Sequence, residues 1–261
     1  MKILITGGIG DFIATESHLS REFKKEIEVI SLGCFHNLEI KKIIEGCKDS
    51  YPNLKEVKFF FSDFINDPIK KVPVPAGTLE QKIEEQEKEG FLNFSMTSSF
   101  EKIIAKKTAF NGSCLFENTL ADVSAFSLPR DYYVIFPYSL KALFQRQYNE
   151  KDWAETLKIL DYKKKKGVVI TQCELPIPAN QNLIILKNQT TISEAIEITK
   201  SSQGFIGVDT FAATIAAQMQ IYLKVRSTNE KTYEWKKYIY FAPRKNFSFL
   251  NRKIMCPKLM I

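Results

Sequence analysis

Residues 2–12 read KILITGGIGDF. Lys2–Thr6 is a short apolar run, as expected of a strand buried in a parallel sheet. Gly7, Gly8 and Gly10 then supply a sharp turn, since glycine accepts backbone angles that a Cβ forbids. A helical pattern runs from Asp11 to about Lys25, and Glu28–Ser31 reads as the next strand. Strand, turn, helix, strand is the rhythm of a parallel α/β domain. His36–Glu45 reads as a further helix, Val57–Phe61 as a strand, and residues 79–90 as a charged helix with a solvated face. Residues 91–128 carry no legible pattern.

The rhythm restarts at Tyr132. Tyr133–Phe136, Gly167–Thr171, Leu183–Leu186 and Gly204–Val208 read as strands. Glu150–Leu160 and Thr210–Met219 read as helices. Thr191 and Glu194 form a T-x-x-E capping box for another helix reaching Ser202. The expected class is therefore α/β, with two Rossmann-like domains, 1–129 and 130–261, facing each other across a cleft.

The 261 residues hold 37 basic and 30 acidic side chains, a net of +7. Residues 231–261 contain eight basic residues and one acid, so residues 1–230 balance at 29 against 29. A uniformly basic scaffold is excluded, and the composition is that of a globular protein. Five widely spaced cysteines without C-x-x-C spacing read as reduced cytosolic thiols. With only His18 and His36, no Cys/His zinc site is expected. The apolar start is broken by glycines before a signal-peptide core forms, and Gly204–Ile221 is too polar for a membrane span.

Three constellations carry chemistry. In GGIGDF, the glycine spacing is not G-x-G-x-x-G, and no acid ends the second strand. This argues against a dinucleotide site. Asp11 stands instead at the carboxyl end of the first strand, where open α/β sheets bind ligands, or it caps the following helix. Gly204–Thr210, GFIGVDT, delivers Asp209 and Thr210 to a helix start suited to a phosphate, with Asp209 alternatively a simple cap. Phe136-Pro137-Tyr138-Ser139 is a strand end and turn followed by Lys141 and Arg146. Ser139 and Arg146 can clamp a diphosphate, whereas Lys141 reads better as solubilising charge.

In order, these pieces resemble the heptosyltransferase-type family of GT-B glycosyltransferases. Gly8-Ile9-Gly10-Asp11 looks like the family's R-x-G-D loop. YPNLKEV, residues 51–57, is similar to its P-x-[ILV]-[DK]-E-[VI] segment. Val134 to Ser139 is similar to the strand and P-G-[AS] turn that open its donor domain. Arg146 stands seven residues before Trp153, where the family places a phosphate-binding lysine ahead of a tryptophan helix. NQTTISE, residues 188–194, looks like its G-x-[ST]-[ST]-L-x-E helix start, and Gly207-Val208-Asp209-Thr210 matches the opening of [GS]-x-D-[ST]-G-x-x-H. The likeness covers residues 1–60 and 132–222.

The resemblance implies an inverting, metal-independent transfer of a sugar from a nucleotide-diphosphate sugar to a hydroxyl. Asp11 would be the general base, and Arg146, Ser139 and the helix start at Thr210 would hold the departing diphosphate. Glu174 would reach the nucleoside or would be a surface acid. The implied acceptor is a glycan or glycolipid, a bacterial surface glycan or lipopolysaccharide core, with the enzyme cytoplasmic at the inner membrane face. The basic, aromatic segment 231–261 would meet anionic lipid or cross back to the first domain. Alternatively it tracks DNA, as in phage glycosyltransferases of DNA bases, or it is a solvated tail. The chain departs from the pattern at Phe211 and Thr214, where the family has glycine and histidine. Tyr138 replaces the turn glycine, and the first half is short. These departures motivate a third reading, a degenerate GT-B binding protein.

Overall fold

The structure, a computed structural model, describes residues 1–5, 10, 12–13, 19, 21–32, 44, 50–59, 76–93, 121–138, 147–172, 174, 176–208, 210–218, 222–226 and 247–249. The chain divides into two compact units, Met1–Asn118 and Thr119–Ile261, a division eleven residues upstream of the 129/130 boundary read from the sequence.

The first unit contains β1 (Lys2–Ile5), α1 (Arg21–Lys25), β2 (Val29–Leu32), β3 (Glu56–Phe59), α2 (Ala76–Lys88) and β4 (Leu92–Asn93). The strands are all parallel, in the order β3-β2-β1-β4. Ile3 and Leu4 are fully buried, so β1 is apolar because it is covered on both faces. Of the helix expected over Asp11–Lys25, Phe12, Ile13 and α1 are helical with Phe12 and Ile13 buried, whereas Leu19 between them is a buried bend, so the described residues do not form one continuous helix. Of His36–Glu45 only Ile44 is described, and it is helical and buried.

α2 starts three residues before its expected position and is solvated along its described faces. Its exception is Gln86, which is buried and accepts a hydrogen bond from Ser31 Oγ of β2 at 2.9 Å. The helix stops at Gly90, whose φ of +86° lets the Gly90 and Phe91 N–H groups reach back to Glu87 O and Gln86 O. Two-residue β4 follows at once, too short for any periodicity to reveal it.

The second unit contains β5 (Tyr132–Phe136), α3 (Glu150–Lys163), β6 (Lys166–Thr171), β7 (Leu183–Lys187), α4 (Ile192–Lys200), β8 (Gly204–Val208), α5 (Phe211–Gln218), β9 (Tyr222–Arg226) and β10 (Phe247–Phe249), with a 3-10 turn at Ser124–Phe126. All six strands are parallel, ordered β10-β9-β8-β5-β6-β7. Counted from β5, this is the 3-2-1-4-5-6 order of doubly wound nucleotide-binding sheets. Ile135, Val169, Ile206 and Val208 bury one face of the sheet against Trp153 and Leu160 of α3. α4 and α5 pack on each other, and α5 lies on β8 and β9.

Both long helices of this unit begin on reciprocal caps. The Thr191–Glu194 box read from the sequence is present at α4. A second box, Asn149 with Asp152, opens α3. Tyr132 OH donates to Ile198 O at 2.7 Å, meeting one of the last carbonyls of α4, and burial pushes the Tyr132 pKa well above the usual tyrosine value. Gly207 is dictated by packing: a Cβ there would lie 2.6 Å from Phe136 O.

β9 and β10 were not read from the sequence. β10 lies within the basic segment 231–261, where Phe247–Phe249 pairs with Leu223–Val225 as the outer strand of the sheet. The rest of that segment lies outside the described residues. Among the described residues, no helix is long and apolar enough to cross a membrane.

Candidate functional site

A parallel sheet collects its strand-to-helix turns along one edge, and ligands bind where the strand order reverses. In the second unit that point lies between β5 and β8, which run side by side with Phe136 opposite Gly207. Beyond them come Pro137–Tyr138 on one strand and Thr210 with α5 on the other, so the fold brings two of the three constellations to one place.

Thr210 precedes α5 and its carbonyl accepts the Thr214 N–H at 3.3 Å. Its Oγ1 is buried and has no hydrogen-bond partner. A buried hydroxyl left unmatched costs roughly 1–3 kcal/mol. It sits where the first amides of α5 also lack intrahelical acceptors. The position therefore suits an anion that accepts from both. Asp209 lies outside the described residues.

Phe211, where the resemblance expects glycine, packs edge-on against Phe136 with ring centroids 5.8 Å apart, and Phe136 stacks on Phe205. The large side chain thus covers the end of β5. Thr214, in place of the histidine, is buried in α5.

On the β5 side, Tyr138 is 7% exposed, and its hydroxyl accepts the Gln172 N–H at 2.7 Å. So buried, the ring covers the sheet and offers no face on which a ligand could stack. Tyr148, two residues after Arg146, donates its N–H to Pro137 O at 2.8 Å. Trp153 is buried against Tyr148 with its Nε1 unpartnered. Ser139, Lys141 and Arg146 lie outside the described residues.

Glu174, beyond the end of β6, is exposed and forms an ion pair with Lys187 at the end of β7. A nucleoside contact by Glu174 would have to share that lysine. Sequence reasoning did not find Lys187; only the β6–β7 register, Thr171 opposite Lys187, reveals it.

In the first unit the corresponding reversal lies between β1 and β4. Gly10 is helical, and Phe12 and Ile13, also helical, lie in the core. Gly8 and Asp11 lie outside the described residues. Among the described residues, no three His, Cys, Asp or Glu side chains come together as a metal site.

No family model matches the sequence, and no curated protein matches it. Solved structures do resemble the fold. The E. coli heptosyltransferase WaaC with ADP-2-deoxy-2-fluoro heptose matches with a TM-score of 0.52 at 11% identity, over 95% of this chain and 92% of that one. WaaC with ADP matches with a TM-score of 0.50, the same identity and the same coverage. The UDP-GlcNAc 2-epimerase of Methanocaldococcus jannaschii gives 0.49 at 10% identity, over 97% of this chain and 94% of that one. The resemblance read from the motifs is thus met at the level of the fold: the chain is built, like WaaC, from two Rossmann-like α/β units of the GT-B type.

Proposed function

We propose that the chain is a glycosyltransferase that moves a sugar from a nucleoside-diphosphate sugar to a hydroxyl acceptor. The observation that carries this reading is the Thr210 hydroxyl, buried without a partner at the start of α5, on the edge where the strand order reverses. A diphosphate oxygen would accept its hydrogen bond, and the helix amides and dipole would favour the charge. The motif likeness adds Ser139, Arg146 and Asp209 to the same turn region.

In the reaction, the acceptor oxygen attacks the anomeric carbon from the side opposite the diphosphate. Its proton passes to Asp11, the bond from the anomeric carbon to the diphosphate oxygen breaks, and the configuration inverts. Charge developing on the leaving diphosphate is met by Arg146 and the amides of α5. Transfer is therefore expected to persist in EDTA. The acceptor is read as a bacterial surface glycan or lipopolysaccharide core at the cytoplasmic membrane face. Steeply salt-dependent DNA binding would move it to DNA.

A second reading has its own observation. Phe211 and Thr214 serve packing where the resemblance expects donor contacts, as in a binding protein that has lost transfer. Turnover of any nucleotide sugar removes that reading.

The test is a thermal-shift screen against ADP-, UDP-, GDP- and CDP-sugars. A ligand at 100 times its Kd stabilises the native state by about 2.7 kcal/mol. No shift with any of the four overturns the proposal.

A further inference from the structure

The end of the second sheet at which its strands begin carries the longest run of basic residues in the chain, Lys163–Lys166. Lys163 closes α3, and Lys166 opens β6 in parallel register with Tyr132 at the start of β5. Arg130 precedes β5 at the same end, and Lys158 shares an exposed face of α3 with Tyr162, one turn on. Residues 130–131 and 158–166 hold six basic side chains and two acids, a net of +4. Asp131 pairs with Lys165 at 3.5 Å, and Asp161 accepts from Asn182. Lys166 donates to Gln181 O at 2.9 Å and Asn182 Oδ1 at 3.2 Å, neutral groups that leave its charge uncompensated. The negative end of a helix is worth about half a charge and does not account for so many cations. Two further features mark the place. Tyr162 is 84% exposed, twice as much as the other exposed large apolar side chains among the described residues, and Lys163 Nζ lies 5.7 Å from its ring centroid. Lys164 holds φ 52°, a conformation that glycine takes at lower cost, so the lysine is kept there against stability.

We propose that Tyr162 and Lys163–Lys166, with Arg130 and Lys158, form a docking surface for an anionic lipid bilayer. Clusters of about four to eight basic residues are drawn to anionic headgroups, and a tyrosine settles at headgroup depth with its ring covered and its hydroxyl wet. A nucleic acid is gripped by arginine forks and stacks its bases on several aromatic rings. Here five of the six bases are lysines and one ring is exposed, which suits a diffuse charged plane. A second copy of the chain brought to this surface would set like charges against each other. The lysines lie at the opposite end of the strands from Thr210, so a unit docked through them keeps the start of α5 turned away from the lipid and open to a soluble anion. The proposal does not rest on the nucleotide-sugar reading.

The experiment is co-sedimentation of the full chain with vesicles of phosphatidylcholine alone and of phosphatidylcholine mixed with phosphatidylglycerol, at about 0.1 M salt. The proteins are wild type, the double variant Lys163→Gln/Lys164→Gln, Lys164→Gly, Tyr162→Ser and Lys151→Gln. Wild type should bind the anionic vesicles and not the neutral ones. Each lost lysine should weaken binding about fivefold, so the double variant falls about 25-fold. Lys164→Gly should lose about fivefold while folding at least as stably as wild type, which separates binding from stability. Tyr162→Ser should lose about twofold or more. Lys151→Gln removes the same charge from the other end of α3 and should stay within about twofold of wild type. Wild-type affinity in the double variant or in Tyr162→Ser, or an equal loss in Lys151→Gln, overturns the proposal. Equal binding to neutral vesicles, or no binding to anionic ones, also overturns it. Binding to duplex DNA that depends on Lys163 and Lys164, without binding to vesicles, overturns it in favour of a nucleic acid. None of these outcomes bears on the nucleotide-sugar screen, which stands or fails by itself.

Discussion

The two sheets turn around the same kind of centre, β3-β2-β1-β4 in the first unit and β7-β6-β5-β8-β9-β10 in the second. They differ in what continues past the reversal. Among the described residues, the first runs as far as β4, two residues long, whereas the second continues through β8, β9 and β10 with α5 lying on β8 and β9. The extra strands extend the edge at which a helix start and an unmatched hydroxyl meet. On the proposed reading, the second unit holds the charged donor and the first presents one reactive group, Asp11.

That division breaks most visibly at Asp11. Asp11→Ala should lower turnover by about 10²–10⁴-fold, the range for a general base, while nucleotide affinity stays at the wild-type value. A parallel collapse of donor binding in calorimetry would erase the distinction between the units.

The next largest effect compares glycines. Gly207→Ala puts a Cβ 2.6 Å from Phe136 O, and should cost about 2–3 kcal/mol in denaturant unfolding. Gly90→Ala meets nothing within 4 Å and carries only the strain of its positive φ, about 1–2 kcal/mol. A larger loss at Gly90 would mean the second sheet is less tightly constrained than its register implies.

Thr210→Val separates binding from stability. It removes a buried hydroxyl with no partner, so the melting temperature should hold or rise. Diphosphate affinity should fall by roughly 2–10-fold, one neutral hydrogen bond's worth. A lower melting temperature with unchanged affinity would make Thr210 purely structural.

The smallest change is at the end of α3, where Lys164 adopts φ 52° without being glycine. Lys164→Gly should raise stability by up to about 1 kcal/mol, measured by chemical denaturation, because glycine takes that conformation without a Cβ penalty.

Much of the second unit was legible because its signals are local. GFIGV is a buried strand by composition, and Thr191–Glu194 is a cap by spacing. The Asn149–Asp152 box escaped notice because its third residue is aspartate, not the glutamate or glutamine of the usual pattern. β9 alternates apolar and basic residues over only its last four positions, and β10 is three residues inside a basic stretch. Both are strands because of what lies beside them, which no window of sequence contains. In the candidate site, Thr210 was legible from its place after a buried strand. Tyr138 was ambiguous until its burial was known, since an aromatic at a turn suits a ligand or a lid equally well.

The order of the second sheet also has a consequence for how the chain is made. β5, the apolar strand YYVIF, gains β6 34 residues later, but its other neighbour, β8, is 71 residues away. At ribosomal rates of roughly 5–20 residues per second, one side of this fully buried strand waits roughly 4–14 s for its partner. A nascent chain paused in that interval offers a sticky, half-paired ribbon to its neighbours on the polysome. Yield in the cell is then governed by translation speed and holdase chaperones, and slower elongation between residues 172 and 204 should lower it.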